Sequence, residues 1–276
     1  MLRKLFSLKD KVAVITGGAG MLGVKHAEAI AEMGGTPILF DLDVERVTVC
    51  AKKIADVYQV PAMGFSVDIT QEKQISQTLE KVLRIFNRLD ILINNAANNP
   101  KMDSHAELEF SNTRLEVFPL EMWEQDLRVG LTGSFLCSKI IGSEIAKRDG
   151  GVILNIASDL ALIGPDQRIY RRENLSEDRQ PVKPITYSVV KSGLLGLTRY
   201  LATYWAEKKV RVNALCPGGV RAAQDAEFVD RISKLIPLSR MAHEDEYKAA
   251  VVFLVSDASS YMTGSILSID GGRTAW

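Results

Sequence analysis

No run of about 18 consecutive apolar residues occurs in the chain, which excludes a membrane-spanning helix of ordinary length. The opening MLRKLFSLKDK holds too short an apolar stretch for a secretory signal, so a cytoplasmic location is the expectation. Cysteine is scarce. Cys50, Cys137 and Cys216 are odd in number and far apart, with no CxxC pair and no Cys/His cluster at metal spacing. That argues against a disulfide framework and a metal centre, and for buried thiols in a reducing compartment. Only three histidines occur, His26, His105 and His243, and they share no metal spacing, so packing or surface roles are expected. No charge of either sign dominates: Lys plus Arg and Asp plus Glu each number 34. A nucleic-acid partner, which selects for a basic excess, is therefore disfavoured. Internal repeats and low-complexity linkers are also missing.

What is present is a chain of 276 residues, 46% hydrophobic, enough to bury one large core in a single domain. Short β-rich runs at 12–15, 37–40, 62–67, 91–93, 152–156, 210–215 and 266–269 alternate with amphipathic stretches. Helices are expected from about residues 22, 44 and 72, over about 120–147 and 186–207, and near 244–255. This alternation predicts an α/β fold, a doubly wound parallel sheet with helices on both faces. Functional residues should then lie just past the carboxyl ends of strands. Two stretches, 98–119 and 159–185, break the rhythm after strands and are candidate walls of a substrate site.

The segment TGGAGMLG, residues 16–23, stands where a strand hands over to a helix. Taken alone it could be a bare turn. Glycines at this junction let backbone approach a pyrophosphate, and the helix N-terminus offers it amide donors. Its spacing can be read through Gly17, Gly20 and Gly23, with Gly20 allowing the close approach and Met21 turned toward the ligand's edge. The strand at 36–40 ends in Asp41, where the dinucleotide fold places an acid on the adenosine ribose. A carboxylate there repels a 2′-phosphate, so NAD is expected rather than NADP. Asp43 competes for the role, but Asp41 is nearer the strand end.

In the second half, Tyr187-Ser-Val-Val-Lys191 puts a phenol and an ammonium on one helical face a turn apart. A neighbouring cation stabilises phenolate, and a lowered tyrosine pKa suits a general acid/base. Ser158 closes the strand at 152–156, where its hydroxyl could hold a substrate oxygen. Asn94-Asn95-Ala96-Ala97 and Pro217-Gly218-Gly219-Val220 close two further strands.

Together with Val67-Asp68-Ile69, Asn213 and the ending Asp270-Gly-Gly272, these segments resemble the short-chain dehydrogenase/reductase family over nearly the whole chain. The resemblance implies hydride transfer with NAD, Tyr187 exchanging the hydroxyl proton, Lys191 holding the nicotinamide ribose and Ser158 bonding the substrate. It implies a cofactor site from Gly17, Gly20, Met21, Leu22, Gly23, Asp41, Asp68, Ile69, Asn95, Ala96, Ala97, Pro217, Gly218 and Val220. Asn94 is expected on the adenosine side. Asp68 could equally be an ordinary residue near a helix start, and Val220 plain packing.

Three departures stand out. Gly130 occupies the place of an asparagine that completes a proton relay in most relatives, leaving space that a water could fill. Ala222 replaces a threonine. Ser158 and Tyr187 are 29 positions apart, about twice the usual separation, which makes Tyr170 a rival. Position 174 is Asn rather than Lys, so Tyr187 is preferred, and 159–185 becomes an insertion. Its Arg168, Arg171, Arg172 and Arg179 could clamp an anion or simply pair with the insertion's own acids.

These features look most like the branch serving flagellin modification and surface-sugar biosynthesis, implying a polar, sugar-like substrate. A 3-oxoacyl-thioester reductase and a gluconate-type dehydrogenase are alternatives, and a catalytically weak NAD-binding sensor is a third. Trp123 and Trp205 lie on helices that the resemblance implies pack between subunits, giving a homotetramer or a dimer. The ending Arg273-Thr-Ala-Trp276 is a candidate to reach a neighbouring active site.

Overall fold

The computed structural model describes residues 2–98, 113–173 and 175–276. Seven strands form one parallel sheet: β1 (Val12–Thr16), β2 (Thr36–Asp41), β3 (Met63–Ser66), β4 (Ile91–Asn94), β5 (Gly151–Ile156), β6 (Val210–Pro217) and β7 (Ile266–Ile269). Their spatial order is β3-β2-β1-β4-β5-β6-β7. Every residue of β1 and β4, at the middle of the sheet, is buried, because helices cover both faces there. The expected doubly wound sheet is therefore present. One apolar layer gathers Ile15, Ile30, Leu39, Ile93 and Val251, and the opposite one Val14, Phe40, Ile75, Leu92 and Ile141.

The order reverses between β1 and β4, which pair through Ala13↔Ile91 to Ile15↔Ile93. At such a switch point the loops leaving neighbouring strands diverge to opposite faces and open a crevice. The loop after β1 runs into the helix Met21–Glu32, and the chain after β4 continues through Asn95 to Asn98.

The expected long central helix is helical from Leu120 to Ala146, with two π-helical turns, Arg128–Thr132 and Ser138–Gly142, that the apolar pattern did not announce. Ile185–Tyr204 packs beside it. A further helix, Ala226–Ser233, is absent from the sequence reading. Its signal was present: Asp225 caps it by accepting from Phe228 N at 2.7 Å, and Phe228, Val229 and Ile232 give it an apolar face.

Of the segment 98–119, residues 99–112 lie outside the described residues, and with them His105. Asn174 lies outside them as well. Among the described residues, no helix is long and apolar enough to cross a membrane, and no group of His, Cys, Asp or Glu could hold a metal ion.

Candidate active site

The loop 16–20 folds tightly for steric reasons that name individual glycines. Gly17 has φ of 59°, a conformation costly for residues with a Cβ, and a Cβ there would lie 2.9 Å from Ala96 Cα. A Cβ on Gly23 would fall 2.1 Å from Gly17 O, so that glycine is what lets the helix start so close to the loop. Gly20 differs: its Cβ would meet only Gly17 O, at 3.1 Å, and its remaining side is open.

Gly20 caps the helix Met21–Glu32 without a side-chain bond. The first-turn amides thus remain without a side-chain acceptor, beside Met21 and Leu22 on the wall of the main cleft. This is the geometry a pyrophosphate requires.

Asp41 closes β2 and braces the loop. Its Oδ2 accepts from Ala19 N at 2.9 Å and its Oδ1 from Leu42 N at 2.8 Å. A carboxylate has about four acceptor positions, so capacity remains for ribose hydroxyls. Asp43 is committed elsewhere, capping the helix Val44–Tyr58 through Arg46 N.

Asn95 fastens the loop from the other side, donating to Thr16 O at 3.0 Å and Gly17 O at 3.1 Å. Ala96 N donates to Thr16 Oγ1, and Ala97 lies on the cleft wall. Asn94 does not reach the adenosine side. It is buried, and its amide donates to Ser138 Oγ and Asn155 Oδ1, because the alternation of β4 turns it beneath the sheet. Asp68 accepts from the backbone N and hydroxyl of Thr70, and Ile69 is buried where Gly133 makes room for it. Neither lines the cleft.

That cleft has a volume of about 770 Å³, within the size range of small-molecule sites. Ser158, Tyr187, Lys191, Pro217, Gly218 and Val220 all meet there. Ser158 donates to Asp159 Oδ1 at 2.8 Å and accepts from Leu160 N at 3.2 Å.

Tyr187 is half-buried in the first turn of Ile185–Tyr204. Lys183 Nζ sits over its ring at 3.9 Å from the centroid and Lys191 Nζ at 5.8 Å. Lys191 is buried and donates to Ile156 O at 2.8 Å. Burial, reinforced by the charge of Lys183, lowers its pKa to about 8. The phenol of Tyr187 is raised by burial, and by Asp159, while the Ser158 hydroxyl opposes the shift. The expected depression by Lys191 is not what the cleft shows: the ammonium is turned toward Ile156 O, and burial of the phenol dominates.

Tyr170, the rival, also lines the cleft, its ring 5.6 Å from that of Phe228 and tilted 35° to it. Burial raises its pKa, with Arg273 as the opposing cation, and among the described residues no ammonium covers its ring. Gly130 has a steric reason. A Cβ there would lie 2.4 Å from Val190 Cγ1, so Val190 fills the direction in which a side chain would point, and that space is not open to water. Ala222 is exposed, and its backbone N donates to Gln224 Oε1.

Two insertion arginines form internal pairs, Arg168 with Asp166 at 2.6 Å and Arg171 with Glu177. Arg179 is exposed, and only Arg172 of the four lines the cleft.

Arg273 was missed as a site residue. Instead of reaching outward it folds into its own cleft, where it pairs with Asp159 at 2.9 Å, both side chains buried. Gly271 and Gly272, at φ of 67° and 90°, make the turn that returns it. A basic residue directly after a Gly-Gly pair was the available signal. Trp205 is buried against Gly142 rather than at a surface.

A helix start at Met21 and Leu22 and a Ser-Tyr-Lys group share one cleft, and an acid at the end of β2 braces the loop that leads to that helix, an arrangement suited to nicotinamide-linked alcohol chemistry. Residues 11–170 match the family model described as short chain dehydrogenase, and residues 175–274 the one described as Enoyl-(Acyl carrier protein) reductase. The chain belongs to the short-chain dehydrogenase family. This short-chain dehydrogenase is 32% identical to an NAD-dependent glycerol dehydrogenase of Listeria innocua over 98% of its own length and 96% of the relative's. It is 31% identical to a 3-oxoacyl-acyl-carrier-protein reductase of Aquifex aeolicus, covering 96% and 98% of the two chains. A crystal structure of a gluconate 5-dehydrogenase from Burkholderia cenocepacia, in complex with NADP and tartrate, superimposes with a TM-score of 0.84 at 25% identity, covering all of both chains. The short-chain dehydrogenase is thus an oxidoreductase acting on CH–OH groups with a nicotinamide cofactor.

Proposed function

We propose that the protein interconverts a secondary alcohol and a ketone on a polar, sugar-like substrate, using NAD(H), with Tyr187 as general acid/base. The observation that carries this reading is the position of the Tyr187 phenol, covered by Lys183 and Lys191, within reach of Ser158, in the cleft that the Met21–Glu32 helix start also borders. Gly17, Gly20, Gly23 and the first-turn amides would hold the pyrophosphate, Asp41 the adenosine ribose, and Lys191 the nicotinamide ribose. Asn95 and Ala96 shape the loop from behind. The bound cofactor supplies a hydride acceptor or donor. The chain's own part is to align the substrate oxygen between Ser158 and Tyr187 and to move its proton. Burial of the phenol favours the protonated form, the state needed to protonate a carbonyl oxygen as it is reduced.

A polar substrate is supported by Arg231, which lines the cleft and whose buried Nε has no partner among the described residues. The glycerol dehydrogenase relative, and the resemblance to the surface-sugar branch, support the same direction. The acyl-carrier reductase relative supports a second reading, reduction of a 3-oxoacyl thioester, and the apolar wall of Ile169, Phe228 and Met241 would accommodate such a chain. Assaying keto-polyols and sugar acids against a 3-oxoacyl thioester separates them. Turnover confined to the thioester would overturn the sugar-like reading.

NAD preference rests on Asp41, whose charge opposes a 2′-phosphate. Titration calorimetry should show NADH binding more tightly than NADPH, and the reverse order would refute the argument. A homo-oligomer belongs to the same reading, supported by the exposed aromatics Phe135, Tyr200 and Tyr204, and sedimentation tests it. So does a reducing, cytoplasmic setting, supported by three free thiols.

A further inference from the structure

Tyr187 and Lys191 border a second, much smaller cavity on the side away from the main cleft. Its volume is about 10 Å³, close to the room one water needs. Asp126, Thr186, Asn98 and Gly130 share its wall with them. Asp126 is the single carboxylate there among the described residues, and two donors hold it in place. Asn98 Nδ2 donates to its Oδ1 at 3.1 Å, and the Thr186 hydroxyl donates to its Oδ2. Each carboxylate oxygen keeps a free acceptor position. Asp126 is half-buried on the helix Leu120–Leu127, so it joins this cavity to the protein surface.

We infer that Asp126 is the positioning residue through which the Tyr187 proton is exchanged with solvent, by way of one water held between its carboxylate and Lys191. The inference rests on the reading of Tyr187 as general acid/base. When the alcohol is oxidised, the hydride leaves with the nicotinamide cofactor and the hydroxyl proton passes to the Tyr187 phenolate. The resulting phenol must lose that proton before the next turnover. Lys191 spends one N–H on Ile156 O, which leaves two to face the phenol and the water. The Lys191 ammonium passes one of its protons through the water to an Asp126 oxygen, and from there to bulk solvent, and the amine so formed takes the proton of the phenol. Reduction reverses every transfer, so protons balance in both directions.

Gly130 and Asp126 fit together in this arrangement. They lie one helical turn apart on one face, and Val190 occupies the space a side chain at 130 would need. A carboxylate one turn earlier supplies the polar group on that cavity wall. Among the described residues, the charges beside Tyr187 from other elements are Lys183 and Asp159 in the main cleft and Asp126 in the small cavity.

The test uses Asp126→Asn, which keeps the shape and accepts no proton, and Thr186→Val, which removes one pinning donor. In Asp126→Asn, kcat should fall about 10- to 100-fold, less than the ~10²–10⁴ of direct acid/base groups. KM and nucleotide affinity should stay within about twofold, and added imidazole or azide should restore kcat with increasing concentration. In Thr186→Val, kcat should fall by a smaller factor with KM unchanged, because one of the two donors that hold the Asp126 carboxylate at the cavity wall is lost. An unchanged kcat in Asp126→Asn, a loss that small bases do not relieve, or an unchanged kcat in Thr186→Val overturns the inference. Either variant suffices if the other fails to bind nucleotide. Tyr187→Phe, measured in parallel, keeps the two claims apart: an inactive Tyr187→Phe beside an unaffected Asp126→Asn removes the relay alone, whereas an active Tyr187→Phe removes the acid/base reading itself.

Discussion

His26 is completely buried in the helix behind the glycine loop, and neither ring nitrogen closes a well-aligned hydrogen bond among the described residues. Burial lowers its pKa from 6.5 to about 4, with the Asn95 side chain opposing. The folded protein therefore binds a proton at this site less readily than the unfolded chain, and the unfolded state gains protons first as pH falls. Stability is fully present above the unfolded value and is lost as pH drops from about 6.5 toward about 4. At about 1.4 kcal/mol per pKa unit, the full loss is about 3 kcal/mol, of which about 2 kcal/mol has appeared by pH 5. For a chain of this size that corresponds to a fall in Tm of roughly 4–8 °C between pH 7 and pH 5. Carboxylates held low by partners, such as Glu246 beside Arg240, act in the same direction but below their unfolded values, so this window isolates the histidine. His26→Leu, compared with the parent by urea denaturation at both pH values, should flatten the slope by about 2 kcal/mol. Parallel pH dependences in the two proteins would refute the reasoning, whatever the absolute stability of the variant.

The two glycines of the loop should separate in their effects. Gly23→Ala places a Cβ 2.1 Å from Gly17 O and should lower both stability, by about 1–3 kcal/mol, and nucleotide affinity. Gly20→Ala should leave Tm nearly unchanged while weakening nucleotide binding, and calorimetry beside thermal melts reads the contrast. Arg273→Ala strands the buried Asp159 carboxylate and should cost about 3–5 kcal/mol, measurable as a shift in the urea midpoint. A loss below about 1 kcal/mol would mean the pair behaves as a solvated one. Gly130→Ala should destabilise by about 1–3 kcal/mol through its contact with Val190, with the cost reduced in the double variant Gly130→Ala/Val190→Ala.

The sheet was legible in the sequence because parallel strands buried on both faces read as uninterrupted apolar runs, and the turns between them carry glycine and asparagine. Strand register and the place of the switch point between β1 and β4 were not legible, since apolar runs carry no record of which strand lies beside which. Asp41 was legible as an acid at a strand end. The helix Ala226–Ser233 was not, since eight residues give too little periodicity to rise above a loop, although Asp225 marked its start. The π-turns beside Gly130 leave no mark in apolar spacing. Asn94 was misplaced because a strand's last residue can face either layer, and only the partners Ser138 and Asn155 show which. Arg273 and Asp159 are 114 positions apart, and nothing local in the sequence joins them. The Tyr187–Lys191 spacing was legible, but the outcome of their electrostatics was not. Whether burial or the ammonium governs the phenol depends on where Nζ points.

The measurement that tests the account most directly is the steady-state turnover of Tyr187→Phe with NADH and a keto-polyol, alongside its NADH affinity. The account predicts a fall in kcat of at least about 10²-fold with the dissociation constant for NADH unchanged within about twofold, because the variant removes only the exchangeable proton. Full turnover with intact nucleotide binding would contradict it.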